Sequence, residues 1–136
     1  NFHGQAFSTG RSFYTRIADT PYQFIFQDDG VNTHLVNGVG GDKRVRLFDM
    51  SHGAGVLPEG EVGRNPWPKR TMTEYMGYAG GLGPANIKAQ LKLIEKAAQP
   101  KKYGAYWVDM ETRVRSDRDR LFDLQKVRQV CEEVWG

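Results

Sequence analysis

The stretch MGYAGGLGPANIKAQL, Met76 to Leu91, decides how the chain is read. A bulky run ends at Gly80 and Gly81, Leu82-Gly83 follows, and a helical pattern starts straight after Pro84. Glycine loses more backbone entropy on folding than any other residue, so three within four positions mark a geometric requirement. One such requirement is close approach of the backbone to a ligand, with the unpaired N–H groups of a helix start offered to an anion. The other is a short strand-to-helix turn. On either reading the stretch is strand, turn, helix. Ile87, Leu91, Ile94 and Ala98 recur at i, i+4, i+7 and i+11 and predict one helical face from Pro84 to about Gln99. Pro84 suits the first helical position, where no N–H is needed.

Outward from this stretch the pattern repeats. Short apolar or aromatic runs lie at Asn1–Gly4, Tyr22–Gln27, Val45–Asp49, Tyr75–Ala79 and Ala105–Asp109. Several are apolar at nearly every position, as strands covered on both faces are. Helices are predicted from Ser8 to Ala18, with Phe13 and Ile17 inward, and over Asp29 to Val39, with Val31, Leu35 and Val39 four apart. A terminal helix is predicted from an Asp123 N-cap, with Leu124, Val127, Cys131 and Val134 on one side. Cys131 therefore reads as a small core residue rather than a nucleophile. Alternating strand and helix gives an α/β fold with parallel strands and one domain over residues 1–136. Ser51 to Thr73 breaks the rhythm: seven of its residues are Gly or Pro, which excludes a regular helix through most of it. A long loop in a compact domain is functional or disordered.

Composition narrows the function. The chain has 136 residues, 19 of them basic and 16 acidic, a net charge of +3. In the most basic stretch Arg113, Arg115, Arg118 and Arg120 are interleaved with Asp117, Asp119 and Asp123, so no nucleic-acid partner is expected. No apolar run reaches the roughly 20 residues of a membrane span. The single cysteine excludes an internal disulfide, and the three histidines, His3, His34 and His52, lack paired spacing, so neither metal nor cofactor is expected. A cytoplasmic protein is expected. The first residue is Asn, so position 1 is either a processed start or a point within a longer product.

In parallel α/β folds ligands gather outside the carboxyl ends of the strands. There the sequence puts His3, Gln27-Asp28-Asp29, Asp49 with Ser51 and His52, Gly80-Gly81, and Asp109 with Glu111. Carboxylates at neighbouring strand ends suit acid–base chemistry. Asp49 and His52 are the candidate catalytic residues. Asp28 and Asp29 read equally as organisers of a turn. Phe24, Phe26, Tyr106 and Trp107 read as core.

The order of these features resembles the C-terminal part of the phosphoribosylanthranilate isomerase family, (β/α)8 barrels of tryptophan biosynthesis. The likeness is carried by Ala79-Gly80-Gly81-Leu82-Gly83 opening a helix, Asp49 before a glycine-rich loop, and a strand ending at Asp109. Asn1-Phe-His-Gly4 resembles the end of the family's fourth strand, which makes the chain strands four to eight, a partial (half) TIM-type barrel. The resemblance implies that Asp49 is a general acid and that Gly80 and Gly81 hold a substrate phosphate. Gly83, Asn86, Asp109, Glu111 and Arg113 are expected around that phosphate. Glu111 stands where the family has a small residue, and an anion there repels phosphate unless Arg113 or Arg115 turns inward. The family's general-base cysteine, on strand one, has no counterpart here, so complete isomerase activity is not expected from this chain alone. Five strands leave open edges, which implies a homodimer or a missing N-terminal half. The expectation is a binder of a small phosphorylated molecule, isomerase- or lyase-like. The alternative is a non-catalytic half-barrel that works as a homo-oligomer.

Overall fold

The computed structural model describes residues 19–33, 44–71 and 75–136. The expected strand at Asn1–Gly4, the helix at Ser8–Ala18, His3, His34, Leu35 and Val39 lie outside them. The described residues form an α/β fold. Its centre is a parallel sheet, β1 (Phe24–Asp28), β2 (Arg44–Phe48), β3 (Met76–Tyr78) and β4 (Tyr106–Val108), in the order β1-β2-β3-β4. These are four of the expected strands, with ends within two residues of those read from the sequence. β4 is followed by a 3-10 turn, Thr112–Val114, and a small antiparallel pair, β5 (Arg115–Ser116) with β6 (Leu121–Phe122). Sequence periodicity gave no sign of this pair. Its turn has three successive non-glycine residues at positive φ: Asp117, Arg118 and Asp119.

Register fixes the two faces of the sheet. Phe26 pairs with Arg46, Arg46 with Met76, and Met76 with Tyr106, so these four share a face. Met76 and Tyr78 there join Leu82, Ile87, Ile94, Ala98 and Val130 in the core. The helices supplying that cover are α1 (Ile87–Ala98) and α3 (Leu124–Trp135), with the single turn α2 (Pro100–Tyr103) between α1 and β4. The face of α1 is the one the spacing gave, but the helix starts at Ile87, because Pro84–Asn86 form a turn closed by the N–H groups of Asn86 and Ile87 on Gly83 O. In α3 the inward residue is Val130, 6 % exposed, flanked by half-buried Val127 and Val134. Leu124 and Cys131 are exposed, a correction to the expected apolar side: the helix is turned so that Val127, Val130 and Val134 meet the core. Asp123 is the N-cap, accepting from the N–H groups of Gln125 and Lys126. Those bonds, and one from the Ser116 hydroxyl, hold its pKa below the usual Asp value, the Ser116 bond being the largest cause.

Between β2 and β3, where a helix would ordinarily cross over, the described residues contain none, as the Gly and Pro content of the segment required. Trp67 takes its place. Its ring, 2 % exposed, meets Phe48 and Tyr78 edge to face at centroid distances of 6.1 and 6.0 Å. Its indole N–H donates to Gln90 Oε1 on α1 at 2.9 Å. The flanking backbone is tied to the same helix, through Asn65 Nδ2 to Leu93 O at 2.7 Å and Arg70 N to Ala97 O at 2.9 Å. Tyr78, under this wedge, has its hydroxyl pKa pushed up to about 12, chiefly by burial.

The opposite face carries Ile25, Gln27, Val45, Leu47, Gly77 and Trp107. The Trp107 ring lies directly over Gly77, where any Cβ would collide with it, so glycine is required in the middle of β3. Tyr75 stacks on the same indole at 4.7 Å between centroids.

Trp67→Ala removes the aromatic that, among the described residues, joins β2, β3 and α1. Truncating a buried Trp costs about 3–5 kcal/mol, and urea denaturation should show a loss in that range with the fold retained at low denaturant.

Candidate functional site

The strand ends are occupied largely by carboxylates, and most of these are committed to holding structure. Asp28 accepts a salt bridge from Arg46 and a 2.6 Å hydrogen bond from the Thr33 hydroxyl. Asp29 Oδ1 accepts from the backbone N–H groups of Val31 and Asn32 at 3.0 and 2.8 Å, organising the turn after β1. The turn reading of both residues is the one the structure bears out. The predicted helix from Asp29 instead begins with this turn, and Val31 is exposed rather than inward.

Asp49 lies just beyond β2, on the Trp107 side of the sheet. Its Oδ2 accepts from Gln27 Nε2 at 3.0 Å, and its Oδ1 accepts from the N–H and hydroxyl of Ser51 at 2.9 and 2.7 Å. Asp109, just beyond β4, faces the same cleft, and its backbone N–H continues the sheet by donating to Tyr78 O. The residue is exposed, yet the part of its carboxyl set against the cleft is desolvated. That desolvation, followed by the negative charges of Glu111 and Asp49, pushes its pKa above the ordinary Asp value. Glu111 pairs with Arg115 at 3.2 Å, an ion pair at the surface.

Between Asp49, Gly80, Gly81, Asp109 and Arg113 the cleft has a volume of only ≈ 30 Å³. That admits water and no sugar phosphate. The backbone of Val56 and Leu57 passes against Gly80 and Gly81 at its side. A Cβ on Gly81, which sits at φ +63°, would lie 2.5 Å from Leu57 N. The glycine at 81 is therefore needed for the approach of protein backbone, which answers the question raised by the Gly-rich turn. Gly83 has a similar reason, since its Cβ would meet Arg113 Cβ at 2.5 Å.

A far larger cavity, ≈ 680 Å³, adjoins this cleft and is lined by Gly83, Asn86, Thr112, Arg113, Lys126 and Gln129 among others. Three of these, Gly83, Asn86 and Arg113, are expected ligand residues. The Asn86 side chain is spent on its own turn, accepting from Gly83 N at 3.0 Å and donating to Gly81 O at 2.8 Å. No side chain caps α1, and its first turn has no acidic residue. The positive end of the helix dipole at this cavity is thus uncompensated. Arg113 and Lys126 add two formal charges. Lys126, on α3, also donates to Arg115 O. Sequence reasoning passed over Thr112, Lys126 and Gln129, because they reach the cavity through tertiary packing rather than through a local motif.

His52 lines neither space. It is exposed, at φ +49°, within the turn that Ala54 N closes on Ser51 O. Among the described residues no group of three or more His, Cys, Asp and Glu side chains is arranged to hold a metal ion. None of the helices described is long and apolar enough to cross a membrane.

No family model, curated protein or solved structure matches the chain. Chemical inference therefore rests on the residues themselves.

The raised pKa of Asp109 has a definite sign. Below the unfolded-state pKa of Asp the native state is not penalised, and stability is lost as pH rises through the higher native pKa. Asp109→Asn should therefore raise Tm at pH 7, by a small amount because the residue is exposed. The gain should shrink to nothing as pH falls below the ordinary Asp range, which a Tm–pH series on both proteins will read.

Proposed function

We propose that the protein binds a small phosphorylated molecule, with the phosphate in the cavity between the Gly83–Asn86 turn, Arg113 and Lys126. The observation that carries this reading is the meeting of two cationic side chains with an uncapped helix start in one cavity of ≈ 680 Å³ that has no acidic residue in its lining. Phosphate is favoured by each: the helix end through its N–H groups and dipole, Arg113 through its fork of donors, Lys126 as a point charge. A carboxylate satisfies the same donors less completely.

The chain is, on this proposal, a partial-barrel relative of the phosphoribosylanthranilate isomerase family. Parallel strand order, with Asp49, Gly80-Gly81 and Asp109 at successive carboxyl ends, supports it. The chemistry to expect is proton transfer in an isomerase- or lyase-type reaction. The resemblance favours Asp49 as the acid. The raised pKa of Asp109 points the other way: Asp109 is the better holder of a proton, and Asp49, which accepts three hydrogen bonds, is then the acceptor of the pair. Cys131, exposed on α3, does not line the cleft and supplies no base there.

Inorganic phosphate should raise Tm by several degrees at saturating concentration, against sodium chloride of matched ionic strength. A ligand at a hundred times its Kd stabilises by about 2.7 kcal/mol. Arg113→Gln and Lys126→Gln should each remove most of the shift. A Tm that does not respond to phosphate or to any sugar phosphate sinks the reading.

A second reading is favoured by a separate observation. Ile25 and Tyr75 are 39 % and 44 % exposed on the sheet face away from α1 and α3, Tyr75 against Trp107 and Ile25 on the far edge strand. A half-barrel that buries this face against a second copy would be an interaction protein without catalysis. Tyr75→Lys should then convert a dimer to a monomer in sedimentation velocity while Asp49→Asn changes nothing. A wild-type monomer at high concentration rejects this alternative.

A further inference from the structure

The cleft and the cavity meet at Thr112 and Arg113. Arg113 lines both, and its Nε donates across 58 residues of sequence to Gly55 O at 3.0 Å. Gly55, at φ +61°, lies so close to Thr112 that a Cβ there would stand 2.7 Å from Thr112 Cβ. From Gly55 the chain continues through Val56 and Leu57 over Gly81. Gly53 and Gly55 thus form one wall of the carboxylate cleft of ≈ 30 Å³. Apolar burial holds the segment 53–57 only at its end, where Leu57 packs against the core, since Val56 is 49 % exposed. It is fixed by backbone contact, by the Ala54–Ser51 turn and by the hydrogen bond from Arg113. Segments fixed in this way open at a small fraction of the global unfolding free energy.

We propose that Arg113 is a latch: an anion captured in the larger cavity competes with Gly55 O for the guanidinium, releases residues 53–57, and opens the Asp49–Asp109 cleft. The inference rests on the phosphate reading above and adds the regulation of that site. A side-on grip of phosphate uses Nε together with one terminal nitrogen of the guanidinium. Nε is the donor now engaged by a neutral carbonyl, and the charge-assisted pair is the stronger of the two. The exchange thus links arrival of the substrate's phosphate to widening of the cleft between the two carboxylates. With no anion bound, that cleft stays at ≈ 30 Å³.

Binding and opening are linked reciprocally, so a variant already unlatched must bind the anion more tightly. Gly55→Ala provides it. Its Cβ would press on Thr112 and lift the segment while leaving the guanidinium intact. The experiment is hydrogen exchange of peptides covering residues 53–57, with and without inorganic phosphate, alongside phosphate titration by thermal shift. In the wild type, phosphate should speed exchange there about threefold or more. In Gly55→Ala exchange should be fast without phosphate, and phosphate affinity should rise about fivefold, the low end of typical coupling. If phosphate raises Tm but leaves exchange at 53–57 unchanged or slower, the latch is overturned and the anion site stands. If phosphate has no effect on Tm, both fall. Should Gly55→Ala not fold by circular dichroism, the wild-type exchange comparison decides alone.

Discussion

The rest of the structure depends on the way Trp67 covers the sheet. Parallel strands need crossovers, and a crossover helix normally buries the face it passes. The segment between β2 and β3 is too rich in Gly and Pro to form one, so one indole does the covering. Its edge-to-face contacts with Phe48 and Tyr78 close the apolar surface, and its N–H to Gln90 ties that surface to α1. The position of α1 sets where its N-terminus emerges. The Gly83–Asn86 turn, and with it one wall of the large cavity, is therefore fixed by a residue on the far side of the helix.

The carboxylates at the strand ends divide by their donors. Asp28, Asp29 and Asp49 are each met by several: Arg46 and Thr33, the N–H groups of Val31 and Asn32, and Gln27 with Ser51. Such sets orient a carboxylate and make it a fixed acceptor. Asp109 accepts no side-chain hydrogen bond among the described residues, and desolvation, followed by the charges of Glu111 and Asp49, moves its pKa upward. One site thus holds a rigid carboxylate and a perturbed one. This is the asymmetry that acid–base chemistry uses, and it arises from which strand end has a donor-rich loop after it.

Four strands, the faces of α1 and the Asp123 cap were legible in the sequence because each is a local pattern: apolar runs, a 3.6-residue period, an oxygen before a helix start. The rotation of α3 was not. Leu124, Val127, Cys131 and Val134 satisfy the helical period as well as Val127, Val130 and Val134 do, and the choice is made by where Val114 and α1 present a surface. The role of Trp67 was hidden for a similar reason, since nothing in a Gly- and Pro-rich segment says which of its residues returns to the core. Asp49, Asp109, Gly80 and Gly81 were placed together correctly, because strand-end position follows from strand order alone. Lys126 was missed because it reaches the cavity through tertiary packing, which no local motif announces.

The glycines of the 80–83 turn show how one signature divides between two causes. A ligand and a passing main chain both require a position without Cβ, and sequence cannot distinguish them. Here the positions at 81 and 83 are taken by Leu57 N and by Arg113 Cβ. A backbone that meets glycine in this way fits closely yet buries little apolar area, so its hold is geometric and weak in free energy. Had Val56 been driven into the core, the cleft below would be closed permanently. With Val56 half in water, only Leu57 ties the segment to the core, and the bond from Arg113 to Gly55 O carries a larger share of its hold.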